Sequence, residues 1–108
     1  MDKIFLTQLV FLNKGAENDF TAFEDKVLPL LGKYNGNLLY RIRPEKDNFV
    51  YLSSGELPYE IHILSFDSTA GMENYKNDEE RKSVLGLFTR SVKKVILIEG
   101  KLTGRNDG

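Results

Sequence analysis

The 108-residue chain has a single histidine, set in the middle of an apolar run, Tyr59-Glu60-Ile61-His62-Ile63-Leu64-Ser65-Phe66. An imidazole ordinarily titrates near pH ~6.5, so His62 is the first candidate for a general acid or base in a pocket lined by a sheet. The second is Arg41, flanked by Tyr40 and Ile42 and followed by Arg43. Pointing inward, its planar fork of donors would hold a carboxylate or an enolate; pointing outward, it is an ordinary strand charge. Tyr40 would lend a hydroxyl to such a pocket or simply pack as an amphipathic aromatic. Leu64 and Phe66 share the parity of His62 in a strand and are the candidate apolar contacts of a ligand.

Each candidate also has a reading without function. A lone imidazole among apolar neighbours is commonly a core group bonded to an adjacent side chain. Tyr34 and Tyr75 fall at helical spacing and read as core, and Asp67 reads as a helix cap. The Glu79-Glu80-Arg81-Lys82 run reads as a solvated helix face.

What the chain lacks narrows the chemistry. With no cysteine, disulfides, thiolate metal sites and cysteine nucleophiles are excluded. One histidine makes no two-histidine ligand pattern, so no metal is expected. No phosphate-cradling glycine loop, serine-nucleophile motif or dinucleotide fingerprint is present, and no cofactor is expected. Fifteen basic against sixteen acidic residues leave a net charge of -1. Without a basic stripe, nucleic acid is not an expected partner. No run approaches the ~20 apolar residues of a membrane span, and the apolar stretch before Thr7 is too short for a signal core. A cytoplasmic, membrane-free chain is expected.

The elements that must position these residues follow from periodicity. Ile4 to Leu12 is apolar at both parities and reads as a strand. Asn13 to Asp19 reads as a loop ending in capping residues. Phe20, Phe23, Val27, Leu30, Leu31 and Tyr34 then step by three and four along one helical face, with Glu24, Asp25 and Lys33 mostly off it. Pro29 predicts a kink inside that helix, and Asn35-Gly36 its stop. A second strand runs from Leu38 to Arg43. Phe49-Val50-Tyr51-Leu52 is a short β-prone piece, either a hairpin arm or a continuation of the sheet, and is expected to be ordered by packing; the role of 45–57 is otherwise open. A third strand spans Tyr59 to Phe66. Asp67-Ser68-Thr69 offers caps for a second helix carrying Met72 and Tyr75, restarting at Asn77-Asp78 with Val84, Leu85 and Phe88 buried. Val95-Ile96-Leu97-Ile98 is the last strand. One domain over 1–103 is expected, with a flexible tail at 104–108.

This order predicts an α+β, ferredoxin-like βαββαβ fold with a four-stranded antiparallel sheet. Two short right-handed crossovers put both helices on one face. The first, third and fourth strands are apolar on both parities, so the other face needs a cover, and a second copy is the simplest provider. A homodimer through the sheet face is therefore expected.

Several segments also resemble a known family. Pro29-Leu30-Leu31-Gly32-Lys33-Tyr34-Asn35-Gly36 is similar to the first-helix ending of domain of unknown function 1330, in the dimeric α/β-barrel superfamily. Gly55 and Pro58 before a strand, Phe66-Asp67-Ser68 after it, Tyr75 and Glu80, and Ile96-Leu97-Ile98-Glu99-Gly100 match its later elements. Arg81 departs from it, standing where relatives more often carry an aromatic. The resemblance implies the fold and the dimer but no established reaction. Other members of the superfamily include cofactor-independent monooxygenases, haem-degrading monooxygenases and lactone- or aromatic-processing enzymes. Haem-degrading members typically use a tryptophan, and this chain has none. Three functional readings stay open: a small-molecule pocket of unspecified role, a cofactor-independent monooxygenase or lactone- or aromatic-processing enzyme, and a non-catalytic ligand-binding or stress-related module. Convergent polar groups would favour the enzyme, and an entirely apolar cavity the binding module.

Overall fold

The computed structural model describes residues 3–50 and 55–103. Half of the Phe49-Val50-Tyr51-Leu52 segment and the whole tail at 104–108 therefore lie outside the described residues. Strand β1 (Ile4–Leu12) leads into helix α1 (Glu17–Val27), and β2 (Gly36–Ile42) is separated by a long connection from β3 (Glu60–Phe66). Three short helices follow, α2 (Thr69–Lys76), α3 (Glu79–Ser83) and α4 (Leu85–Ser91), before β4 (Val92–Gly100).

The first helical region changes pitch where Pro29 predicts a break. α1 ends at Val27, and Leu28–Tyr34 continues as a tighter 3-10 helix with the proline in its first turn. The proline ring supplies no N–H and crowds the carbonyl one turn back, which ends the α-helical ladder. Asn35 then takes a left-handed conformation, φ 57°, and stops the helix. The second helical region is broken by its own caps. Ser68 Oγ accepts the Gly71 N–H at 3.0 Å to start α2, so Ser68 rather than Asp67 is the cap. Asp78 Oδ1 accepts the Arg81 N–H at 2.9 Å to start α3. Asp78 Oδ2 also accepts the Tyr34 hydroxyl at 2.5 Å and Lys33 Nζ at 3.2 Å, tying the two helical regions together. Those donors, Tyr34 foremost, hold its carboxyl down to about 2.

All four strands are antiparallel, in the order β2-β3-β1-β4. The pairs Ile4↔Phe66 and Leu6↔Leu64 face the helices and, with Leu30, Leu31, Met72 and Tyr75, make the core. Along the same face the next pairs are Gln8↔His62 and Val10↔Glu60, so one end of the sheet is apolar and the other polar. The opposite face carries Leu9, Ile61 and Ile63 in the central strands and Tyr40, Ile42, Ile96 and Ile98 in the outer ones, since directly paired residues share a face. Its outer positions are open: Tyr40 is 62% and Ile98 55% exposed. The described residues are only 16 Å deep along the shortest axis, which is one helix layer on one sheet.

The architecture is the expected four-stranded antiparallel α+β fold. Two details differ from the periodicity. β4 begins at Val92, three residues early, because Val92 pairs with Leu12 across an irregularity in the ladder. Phe49 and Val50 belong to no strand: a 3-10 turn at Lys46–Asn48 precedes them, and Val50 is 99% exposed in the single chain. Among the described residues no helix is long and apolar enough to cross a membrane.

Candidate functional site

The polar end of the sheet depends on a register irregularity. In β2, Leu38 pairs with Leu64, but Tyr40 pairs with Ile63 and Arg41 with His62. Leu39 is thus an extra residue, a β-bulge. Before it, Gly36 and Leu38 face the helices; after it, the odd-numbered residues do. The bulge turns Arg41 and Arg43 inward and sends Tyr40 and Ile42 to the open face. Strict alternation would have done the reverse.

Two buried carboxylates receive these arginines. Glu60 is two residues before His62 in β3, hence on the same face, and is fully buried. Glu24 lies on the buried stripe of α1 with Phe20, Phe23 and Val27 and is 2% exposed. Arg41 bridges them, with Nη2 2.7 Å from Glu24 Oε1 and Nε 3.0 Å from Glu60 Oε2. Arg43 reaches Glu60 Oε1 through Nη2 at 2.6 Å and Nε at 3.1 Å, its guanidinium lying over the Tyr59 ring. His62, 3% exposed, sits between the acids. Its Nε2 is 2.7 Å from Glu24 Oε2 and hydrogen-bonds Glu60 Oε2, while Nδ1 meets Gln8 Oε1 at 3.2 Å. With carboxylates at Nε2 and the Gln8 amide oxygen at Nδ1, these surroundings favour the doubly protonated, charged ring.

The electrostatics follow. Burial works against a charged His62, but the two carboxylates, Glu24 ahead of Glu60, more than offset it and raise the imidazole to about 9. Burial alone would also raise Glu60; its hydrogen bonds, that of His62 foremost and those of Arg43 and Arg41 with it, instead drive it well below the usual carboxylate range. Glu24 goes the other way. Its burial outweighs the help of His62, and the neighbouring Glu60 adds to the rise. One carboxylate is held ionised, and the other is shifted toward its protonated form.

A pH dependence of stability results. Because His62 titrates higher in the folded chain than its ordinary ~6.5, its contribution is complete below that value and is lost as pH rises through about 9. Urea unfolding at pH 6, 7.5 and 9.5 should show wild type losing on the order of 2–3 kcal/mol more than His62→Gln over this interval. Parallel curves would mean that the ring is not charged in the fold.

Glu24, Glu60 and His62 bring three donor atoms within 4.8 Å of one another. They suit a metal badly. Arg41 bonds both carboxylates and Arg43 bonds Glu60, so a cation would meet two fixed positive charges and would have to displace the proton on Nε2. The donor set favours a proton.

Beside this cluster a cleft of about 220 Å³ opens between helices and sheet. Phe20, Phe23, Phe88, Leu64 and Leu97 give it an apolar wall, and Gln8, Glu24, His62 and Arg81 are polar groups within it. Of the residues singled out by sequence, His62 and Leu64 line the cleft, and Arg41 stands behind them on the two acids. Tyr40 lies on the opposite sheet face, and Phe66, 1% exposed, is packed in the apolar core; neither lines the cleft. Periodicity placed Glu24 off the buried face and gave Glu60 no role. The signals were present: Glu24 follows Phe20 by four residues and precedes Val27 by three, and Glu60 shares the parity of His62.

No protein-family profile and no curated protein sequence matches the chain. Solved structures do. A protein of unknown function from Rhodopseudomonas palustris, RPA0582, superposes with a TM-score of 0.82 at 15% identity, over 96% of this chain and 85% of that one. A dabb family protein with a ferredoxin-like fold from Mesorhizobium loti gives 0.68 at 13% identity, over 96% and 100%. A dimeric ferredoxin-like protein of unknown function from Jannaschia gives 0.69 at 10% identity, over 93% and 99%. The fold is ferredoxin-like. At these identities the likeness is one of fold, and function rests on the site itself.

Proposed function

We propose that this chain is a homodimeric, ferredoxin-like small-molecule-binding protein whose cleft exchanges a proton with its ligand through His62 and Glu24. The observation that carries the reading is their position: two ionisable side chains, each under 4% exposed, line an otherwise largely apolar cleft. A cavity of about 150 Å³ is enough to hold benzene, so 220 Å³ suits one substituted aromatic ring or an acyl group of similar bulk. His62, charged at neutral pH, is the donor, and the carboxylate of Glu24 beside it is the acceptor. Arg41 and Glu60 position them. Such a pair serves proton transfer next to a carbonyl, chemistry that needs no cofactor. The apolar open face favours pairing with a second copy, as in the dimeric Jannaschia protein, and the resemblance to domain of unknown function 1330 belongs to the same reading.

Solvent deuterium incorporation into a small enolisable aryl ketone, followed by NMR, tests it. Wild type should accelerate exchange, and His62→Gln should lower the rate by about 10²- to 10⁴-fold while remaining a folded dimer. A second reading, binding without chemistry, is favoured by one detail: both ring nitrogens of His62 already have protein partners. Unchanged exchange in His62→Gln, with ketone binding retained, would select it.

A further inference from the structure

Arg81 is the charge in the cleft that the acid–base cluster does not use. Its Nε is buried and has no hydrogen-bond partner. The rest of the guanidinium is fixed: it lies over the Tyr75 ring, 5.1 Å from the centroid, and one terminal nitrogen donates to the Lys76 carbonyl at 3.3 Å. The nearby acids are committed elsewhere. Asp78 accepts from Tyr34, Lys33 and the Arg81 main chain, and Glu80 pairs with Lys26. Glu24 is held by Arg41 and His62. Among the described residues no carboxylate forms an ion pair with the Arg81 side chain. A buried N–H left unbonded is rare in folded proteins and costly, because its hydration is lost without replacement. Arg81 lines the cleft, so an acceptor bound there, best an anion, meets its guanidinium.

We propose that Arg81 is the anion-binding residue of the cleft and sets its specificity for a small carboxylate with an apolar body, of which an aromatic acid is the simplest example. This deepens the reading of the cleft as a ligand site and rests on it. The carboxylate accepts from the Arg81 guanidinium, the body lies against Phe20, Phe23 and Phe88, and Glu24 and His62 face the part of the molecule away from the acid group. The bland reading of the Glu79-Glu80-Arg81-Lys82 run, a solvated helix face, holds for the residues around Arg81, which are exposed, and fails for Arg81 itself, which is half-buried.

Binding of benzoate and of its neutral isostere benzamide, measured by calorimetry or NMR titration, separates the possibilities. Wild type should prefer benzoate. Arg81→Met, which keeps an unbranched apolar stem over Tyr75, should weaken benzoate by about 10- to 100-fold and benzamide, whose carbonyl is only a neutral acceptor, by clearly less. Arg81→Lys should recover only part of the loss, since a lysine carries the charge but no planar fork. Thermal melts of each variant verify the fold. Equal binding of both probes by wild type and Arg81→Met would overturn the role of Arg81 and leave the ligand site standing. Binding of neither probe to wild type would overturn both.

Discussion

Alanine in place of Glu60 is expected to destabilise the fold by about 3–5 kcal/mol, the cost of leaving buried charges without their counter-ion. Glu60 is fully buried and answers three cations: Arg41, Arg43 and the His62 ring. Its removal leaves Glu24 alone against them. Domains of this size are stable by about 5–15 kcal/mol in total, so the variant should sit near the edge of folding at 37 °C. Glu60→Gln, which keeps the shape and two of the acceptor positions, should lose less. Urea denaturation of the three proteins at pH 7 measures this directly. A loss below about 1 kcal/mol for Glu60→Ala would show that water enters the cluster and that its charges are not sealed from solvent.

A comparable effect is expected at the opposite face. Ile63 is half-buried within one chain and lies near the centre of the open sheet, paired with Thr7 on one side and Tyr40 on the other. Ile63→Glu should leave the protomer folded, because the position borders solvent in the single chain. Between two copies, the same carboxylate would be stripped of water against an apolar sheet. Dimer affinity should fall by at least about 10³-fold. Sedimentation velocity at micromolar concentration should give a dimer for wild type and a monomer for the variant, with matching circular dichroism. A wild-type monomer would refute pairing through this face, and so would a variant that stays dimeric.

How much of this was written in the sequence depends on the element. Strand β3 could be read because its two parities are both apolar, and the break at Pro29 because a proline has only one effect inside a helix. The stop at Asn35 was equally legible. The site was legible only in part. His62 stood out by type, but what makes it a charged group is Glu24, 38 positions away on a helix, and a residue so distant in sequence is brought beside it only by the fold. Arg41 was undecidable for a different reason. Its inward direction depends on an extra residue two positions earlier, and nothing in Leu38-Leu39-Tyr40 marks which of the three it is. Arg81 looked like one more charge in a charged run, because periodicity over a five-residue helix is too short to separate its faces.

The bulge at Leu39 works like an inserted letter that shifts a reading frame. Everything downstream of it in β2 is read in the other phase, and both phases carry meaning: Arg41 and Arg43 in one, Tyr40 and Ile42 in the other. The buried ion cluster and the apolar outer surface are therefore not independent inheritances. A relative that loses this one residue, with every side-chain type retained, would turn its arginines out onto the open face and its tyrosine and isoleucine in against two buried acids. The ion cluster inside and the apolar face outside are gained or lost together, by the length of one strand.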